Sequence, residues 1–309
     1  MTGAQDENTR DYSFRNRATC DMCGSPANGH KIIGQRLSCS QGLRPRSKSG
    51  IAVSVVKCRN CSLIFANPQP IPIHSGEHDF IDSWTAEYFD YDASYFASEM
   101  QIAKDLLSFQ PGMKVLDIGA GIGKGLRSFN NAGFDAFGIE PSMKACQIAV
   151  EKMGIAPQNI VCSTVEEAIF PDESFDFVNF GAVLEHVYSP ATALKKALKW
   201  LKPEGIIFAE VPNSKYLISR LVNLYNRLWL TNYVTHISPM HSPYHHFEFA
   251  LSSFEKFCEA NNCEISRHQV FVCDTMFIPR IFVPIFDAYM AATKTGMQHS
   301  IFLRKKAGL

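Results

Sequence analysis

With 309 residues, 46% of them apolar and 19% charged, the chain has enough hydrophobic side chain for one large core and a small satellite, which excludes a disordered or fibrous protein. Thirty basic and thirty acidic side chains cancel, so no overall field draws the molecule to nucleic acid or to an anionic membrane, and any such attraction is local. The opening MTGAQDENTRDYSFRNR lacks the apolar stretch of an export signal, and no window approaches about 18 uninterrupted apolar residues; the expected location is the cytoplasm, without a transmembrane segment.

Residues 1–17 are polar and read as a disordered tail. Residues 18–65, rich in Cys, Gly, Ser and basic side chains, form a separate small unit. In a reducing compartment ten cysteines point to metal ligation or burial, and four are paired: Cys20-x2-Cys23 and Cys58-x2-Cys61, with 34 residues between the pairs. The tight turn of each pair aims two sulfurs at one ion, so the pattern predicts a structural zinc ribbon, its ion held by four cysteines. Such a site would staple a segment too short to bury its own core. Cys39 is a competing ligand without a paired neighbour. Lys31, Arg36, Arg44, Arg46, Lys48, Lys57 and Arg59 face only Asp21 in charge, an excess suited to RNA or to the diphosphate of a nucleotide-linked substrate.

Residues 66–110 follow as a connector, with prolines at 68, 70 and 72 and then a helix over 93–109. Residues 111–309 alternate strands and helices. Strands are predicted at 114–118, 136–139, 160–162, 175–180 and 206–211, with helices at 125–132, 142–153 and 191–201 between them. That order predicts an α/β domain whose parallel sheet is covered on both faces.

In such a sheet ligands sit at the carboxyl ends of the strands, and the first strand runs into VLDIGAGIGKG, residues 115–125. Gly119, Gly121 and Gly123 are spaced G-x-G-x-G, not G-x-G-x-x-G, because the sixth place holds Lys124 in one register and Leu126 in the other. Asp117, two residues before the first glycine, would repel a pyrophosphate but suits a sulfonium or amino group. Glu140 ends the second strand, where an acid accepts ribose hydroxyls.

This stretch, with FGIEPS at 137–142, FDFVNFGAVLEHV at 175–187 and LKPEGIIFAEVPN at 201–213, resembles the class I S-adenosylmethionine-dependent methyltransferases over about residues 110–272. The resemblance implies a Rossmann-like, mostly parallel sheet of seven strands, the last two (264–272 and 300–304) forming an antiparallel edge pair. It implies that Asp117, Gly119, Ala120 and Gly121 line the methionine part of the cofactor, that Glu140 holds the ribose, and that Thr164 and Val165 meet the adenine. Gly181 would pass close to the sulfonium. Glu185 and His186 match an acid-histidine pair at the start of the next helix, with His186 either catalytic or a structural hydrogen-bonding residue. Tyr88, Tyr91 and Tyr95 lie in a segment these enzymes fold over the pocket, and Tyr95 is the candidate to touch substrate.

After the fifth strand, residues 214–245 read as an inserted lid. Leu217, Leu221, Leu224, Tyr225 and Leu228 fall at helical spacing, a face that packs on a core or on a second copy of the chain, which leaves a homodimer open. Arg220 and Arg227 beside Trp229 also suit an interfacial helix. THISPMHSPYHHFEF then places His236, His241, His245 and His246 within eleven residues. Methyl transfer needs a base only where the acceptor must lose a proton, and histidine suits that task. HHFEF resembles the active-site histidine context of zinc-ribbon methyltransferases that modify nucleotide-linked deoxysugars, which makes His246 the first candidate base. His245 stands where those enzymes carry an acid, and their further C-terminal domain is missing, so O-methylation of a sugar or similar small molecule is preferred to carbon methylation. RNA methylation through the basic ribbon is the rival reading, weakened by the zero net charge. A partner protein that only binds the cofactor is the third.

Overall fold

The computed structural model describes residues 12–38, 50–73, 95–240, 244–272 and 278–306. In chain order these hold β1 (Tyr12–Arg15), β2 (His30–Leu37), β3 (Ala52–Cys58), β4 (Ile64–Ala66), β5 (Gln69–Pro72), α1 (Ala97–Leu107), β6 (Lys114–Ile118), α2 (Lys124–Asn131), β7 (Asp135–Glu140), α3 (Met143–Glu151), β8 (Ile160–Cys162), β9 (Phe175–Gly181), α4 (Pro190–Trp200), β10 (Leu201–Pro212), α5 (Leu217–Leu228), β11 (Phe247–Glu248), α6 (Leu251–Ala260), β12 (Cys263–Phe271), α7 (Val283–Thr293) and β13 (Gln298–Lys305).

Seven strands form the main sheet in the order β12-β13-β10-β9-β6-β7-β8. The pairs from β10 through β8 are parallel, while β13 runs antiparallel to both β10 and β12. The central strands are apolar along nearly their whole length, as a sheet covered on both faces requires. Leu116, Ile118, Val178 and Phe180 pack with Leu194 and Ala197 of α4 on one face, and Val115 and Phe177 pack with Leu126 and Phe129 of α2 on the other. Helices α3 and α4 begin where Ser142 and Ser189 accept hydrogen bonds from the third helical N–H, Ala145 and Thr192. No helix among the described residues is long and apolar enough to cross a membrane.

The cysteine-rich unit is joined to this domain through a shared core. Strands β2, β3 and β4 make a small antiparallel sheet whose fourth strand is β11, supplied from far along the chain. Cys20, Val56, Cys58, Cys61, Leu63 and Phe65 pack in one cluster with Phe247, Phe249, Phe254 and Phe257. Asp21, inside the first cysteine pair, accepts from Ser189 Oγ at 2.9 Å and from Ala191 N at 2.8 Å, so it satisfies the start of α4 from outside that helix. Part of the expected tail is ordered too: β1 pairs with β5, Tyr12 is buried, and Arg17 bridges to Asp21 at 3.1 Å. Burial of Tyr12, whose hydroxyl donates to the Met240 carbonyl, and pairing with β5 make residues 12–15 a strand where a disordered tail was expected.

Of the settings open to the apolar stripe of the insertion, packing on this chain's own core is not the one it takes. The side of α5 turned inward carries Ile218, Asn223 and Asn226, whereas Leu221, Leu224, Tyr225 and Leu228 are exposed, Leu228 at 75%. Asn223 Oδ1 accepts from Thr235 N at 2.9 Å and from Thr235 Oγ1, and the Asn226 carbonyl accepts from Thr231. These bonds tie the following loop back onto the helix. Val234, Ile237 and Met240 of that loop then cover Val53, Val55, Ile64 and Ala66 on the outer face of the small sheet.

Candidate functional site

The glycine turn joins β6 to α2 at the carboxyl end of the main sheet. Gly119 adopts φ +75°, a left-handed conformation that strains any other residue, and a Cβ there would lie 2.5 Å from Val183. Glu140, at the end of the neighbouring strand, is buried and accepts from Gly121 N at 2.8 Å and from Ser142 N at 2.9 Å. Backbone amides thereby fix the carboxylate beside the turn while leaving each oxygen further lone pairs. Asp117 is buried beneath α2, one oxygen accepting from Asn179 Nδ2 at 2.6 Å and the other against Gly125, where a Cβ would clash at 2.4 Å. Burial raises Asp117 to about 7, against the pull of the Asn179 bond and with the charge of Glu140 adding.

Sequence reasoning missed two residues here. The ring of Phe96, just ahead of α1, covers Gly181 so closely that a Cβ on the glycine would lie 2.3 Å from it. Phe96 also stacks on Phe129 at 5.9 Å. The bareness of Gly181 therefore makes room for an aromatic wall, and nothing in the local pattern marks Phe96 for that task. Asn179 was legible, as a polar residue in the apolar strand FDFVNFG. Tyr95 lies beside Phe96, ring centroids 4.4 Å apart, and is 40% exposed. Tyr88 and Tyr91 fall outside the described residues. After β8, Ser163 N donates to the Glu140 carbonyl, which draws the 160s loop toward β7. The Thr164 carbonyl caps the next turn and Val165 is buried in the core.

Beyond β9, Glu185 and His186 lie in a turn ahead of α4, which begins only at Pro190, instead of on the first turn of the helix itself. The chain returns there after the insertion: His246 N donates to the Glu185 carbonyl at 2.7 Å, the His186 and His245 rings are 4.7 Å apart edge to face, and His246 leans on Tyr188 at 5.3 Å. His186 Nδ1 contacts the Tyr244 carbonyl at 3.2 Å. His246 Nδ1 and Glu185 Oε2 are buried without hydrogen-bond partners among the described residues. Burial first, then the neighbouring imidazoles, hold His186 down to about 4 and His246 to about 3; burial also lowers His245. Burial raises Glu185 to about 8. These shifts favour uncharged imidazoles on His186, His245 and His246 and a protonated Glu185 at neutral pH. Ligand atoms of Glu185, His186 and His245 lie within 4.8 Å of one another, a spacing that also suits a cation. His236 is not in this group: it is buried against Glu248, Nδ1 to Oε2 at 2.5 Å, and His241 lies outside the described residues.

Cys20, Cys23, Cys58 and Cys61 converge, with Cys20 and Cys61 sulfurs 3.5 Å apart and Cys23 and Cys58 sulfurs 3.7 Å apart. Four thiolates at about 2.3 Å from one zinc ion stand roughly 3.8 Å from each other. The cluster fits that tetrahedron. The hydrogen bond between the two sulfurs pushes Cys20 up and Cys61 down, so the pair shares a proton that a metal would displace. Cys39 lies outside the described residues.

A family model described as a methyltransferase domain matches residues 92–268. A ubiquinone biosynthesis O-methyltransferase of Rhodopseudomonas palustris is 35% identical over 113 residues, which is 36% of this chain and 44% of that protein. Phosphoethanolamine N-methyltransferase 3 of Arabidopsis thaliana is 32% identical over 107 residues, 33% of this chain and 21% of that protein. The chain spans less than half the length of these curated relatives. A SAM-dependent methyltransferase structure from Archaeoglobus fulgidus is 16% identical with a TM-score of 0.46, covering 74% of this chain and 97% of that one.

Proposed function

Since the chain belongs to the methyltransferase-domain family, we propose that it is an S-adenosylmethionine-dependent enzyme that methylates a hydroxyl oxygen of a small polar acceptor, a sugar or a nucleotide-linked sugar. The observation that carries this reading is the group of buried Glu185 and His246 with half-buried His186 and His245, in which His246 Nδ1 and Glu185 Oε2 have no hydrogen-bond partner among the described residues. One curated relative is named for O-methylation and another for N-methylation. A hydroxyl must lose its proton as it is alkylated, whereas a neutral amine attacks without a base, so a site supplied with uncharged imidazoles favours oxygen.

In this reading Glu140 accepts from the ribose, and Asp117, Gly119, Ala120 and Gly121 line the methionine part, with Asp117 drawn to its ionised form by a cationic ligand. Thr164 and Val165 border the adenine, and Gly181 with Phe96 walls the reacting end. The cofactor supplies the methyl group on a positively charged sulfur. The protein aligns the acceptor in line with it and excludes water. His246 takes the acceptor's proton, His186 and His245 position the hydroxyl, and Tyr95 borders the acceptor entrance. Weak basicity is no obstacle, because an oxygen that is being alkylated becomes far more acidic than any imidazolium, and placement decides the rate. Zinc on the four cysteines is structural, a closed sulfur set without room for substrate.

The test is methyl transfer from labelled S-adenosylmethionine into a pool of sugar nucleotides. His246→Ala should lower kcat by about 100-fold or more, the usual contribution of a positioned base, with cofactor affinity unchanged. Because the histidines are held near 3 to 4, kcat/KM should show no limb at pH 6.5. Full turnover in His246→Ala, or label found only on amines, would overturn the reading.

A further inference from the structure

The small sheet has a second face, away from the cysteine core. Period-two alternation sets Val53, Val55 and Lys57 in line on it. Val53 and Val55 are covered by the insertion. At Lys57 the cover parts, and a cavity of about 380 Å³ opens between the sheet and α5, within the size range of small-molecule sites, about 300–1,000 Å³. Four cations line it, Lys57, Lys215, Arg220 and Arg227, with no carboxylate in the lining. Lys215 and Arg220 act on Lys57 as like charges. Glu248, behind His236, is already engaged by His236 Nδ1 and Ile237 N. Among the described residues none of the four cations has an acidic partner. Arg227 has one long bond to the Ile33 carbonyl, at 3.4 Å.

On an open surface such charges would be screened by water. Gathered in one concavity they repel one another, and an anion of matching charge relieves that repulsion. We propose that this cavity is a binding site for a phosphoryl group, a phosphate or diphosphate clamped by the two guanidinium forks of α5 with Lys57 and Lys215 as point charges. Arginine forks suit phosphate oxygens in pairs, and a single carboxylate would leave most of the positive charge uncompensated. The phosphoryl group is either part of a water-soluble ester or a lipid headgroup. Leu221, Leu224, Leu228 and Trp229, all exposed along α5, provide a ledge on which an attached hydrocarbon chain could lie. None of the residues lining it belongs to the group of Glu185, His186, His245 and His246, and the site does not rest on the acceptor proposed above.

The experiment uses the full chain with its metal. Inorganic pyrophosphate is titrated calorimetrically at low and raised salt, and sedimentation is compared for vesicles of phosphatidylcholine alone and with phosphatidic acid. Expected is pyrophosphate binding that weakens with salt and falls at least about tenfold in Arg220→Gln/Arg227→Gln, while Lys256→Gln on α6 leaves it unchanged. Pyrophosphate binding without vesicle association assigns a soluble ligand; association that requires phosphatidic acid and is lost in the double variant assigns a headgroup. The proposal is overturned by no pyrophosphate binding at millimolar concentration together with no preference for phosphatidic acid, or by binding that survives loss of both arginines. Unchanged melting temperatures separate loss of the site from loss of the fold.

Discussion

The glycine turn after β6 and the helix α5 both announce themselves as short periodic patterns, yet only the first meets its neighbours within the chain on the side its pattern marks. At the turn, Gly119, Gly121 and Glu140 are brought together by two adjacent parallel strands and backbone bonds a few residues long. At α5 the apolar stripe faces outward and the asparagines inward, because Thr231, Thr235 and the outer face of a sheet built some 160 residues earlier decide what the helix packs against. Local geometry makes a pattern reliable. Where the partner surface comes from elsewhere in the chain, amphipathicity marks a helix and leaves its orientation open.

The sharpest break of that contrast is disruption of the four-cysteine cluster, including removal of the zinc proposed for it. If the cysteine unit and the methyltransferase domain share one core, chelation or Cys58→Ser should cost more than about 3 kcal/mol and lower the melting of the whole molecule in a single transition, read by calorimetry. A small separate transition with the main one unmoved would restore two independent units.

A middle-sized effect probes the site's buried charge. Glu185 is raised from its ordinary 4.5 to about 8, so between those values the unfolded chain is ionised while the native acid stays protonated, and stability falls as pH rises through that window. Glu185→Gln should therefore stabilise by about 1–3 kcal/mol at pH 8 and by almost nothing at pH 4.5, followed by thermal melts across pH. An equal gain at both ends would mean that the carboxyl is solvated. The histidines act in the opposite sense: held low, they make the fold lose stability as pH falls below 6.5 toward 4.

The smallest effect tests α5 itself. Leu228 is 75% exposed, and Leu228→Lys should change stability by no more than about 0.5 kcal/mol in a urea titration. A larger loss, or a change in hydrodynamic size, would show that a second copy covers the stripe.

Much of the site was legible because its signals are covalent neighbours. The strand at 114–118, the G-x-G-x-G spacing and Glu140 one strand later define a ligand-binding sheet end by chain geometry alone. The paired cysteines define a tetrahedral site in the same way, since each pair is one turn. Histidines 245 and 246 could be singled out by composition, but their meeting with Glu185 and His186 could not, because it depends on β11 joining the small sheet and bringing residue 246 back to the turn at 185. Phe96 carries no mark at all, since an aromatic residue before a helix gains its role only from the bare glycine that faces it.

By itself, then, the order of residues determined the run of strands and helices in the larger domain, the parallel sheet, the glycine turn at its carboxyl end and the two cysteine pairs, all set by hydrophobic period, glycine conformation and turn length. Tertiary structure decided which way α5 faces, that the cysteine unit merges with the larger core, which histidines stand together, and that four cations border one cavity. Those outcomes depend on burial and on contacts between segments remote in the chain, whose free energies exist only once the surfaces meet.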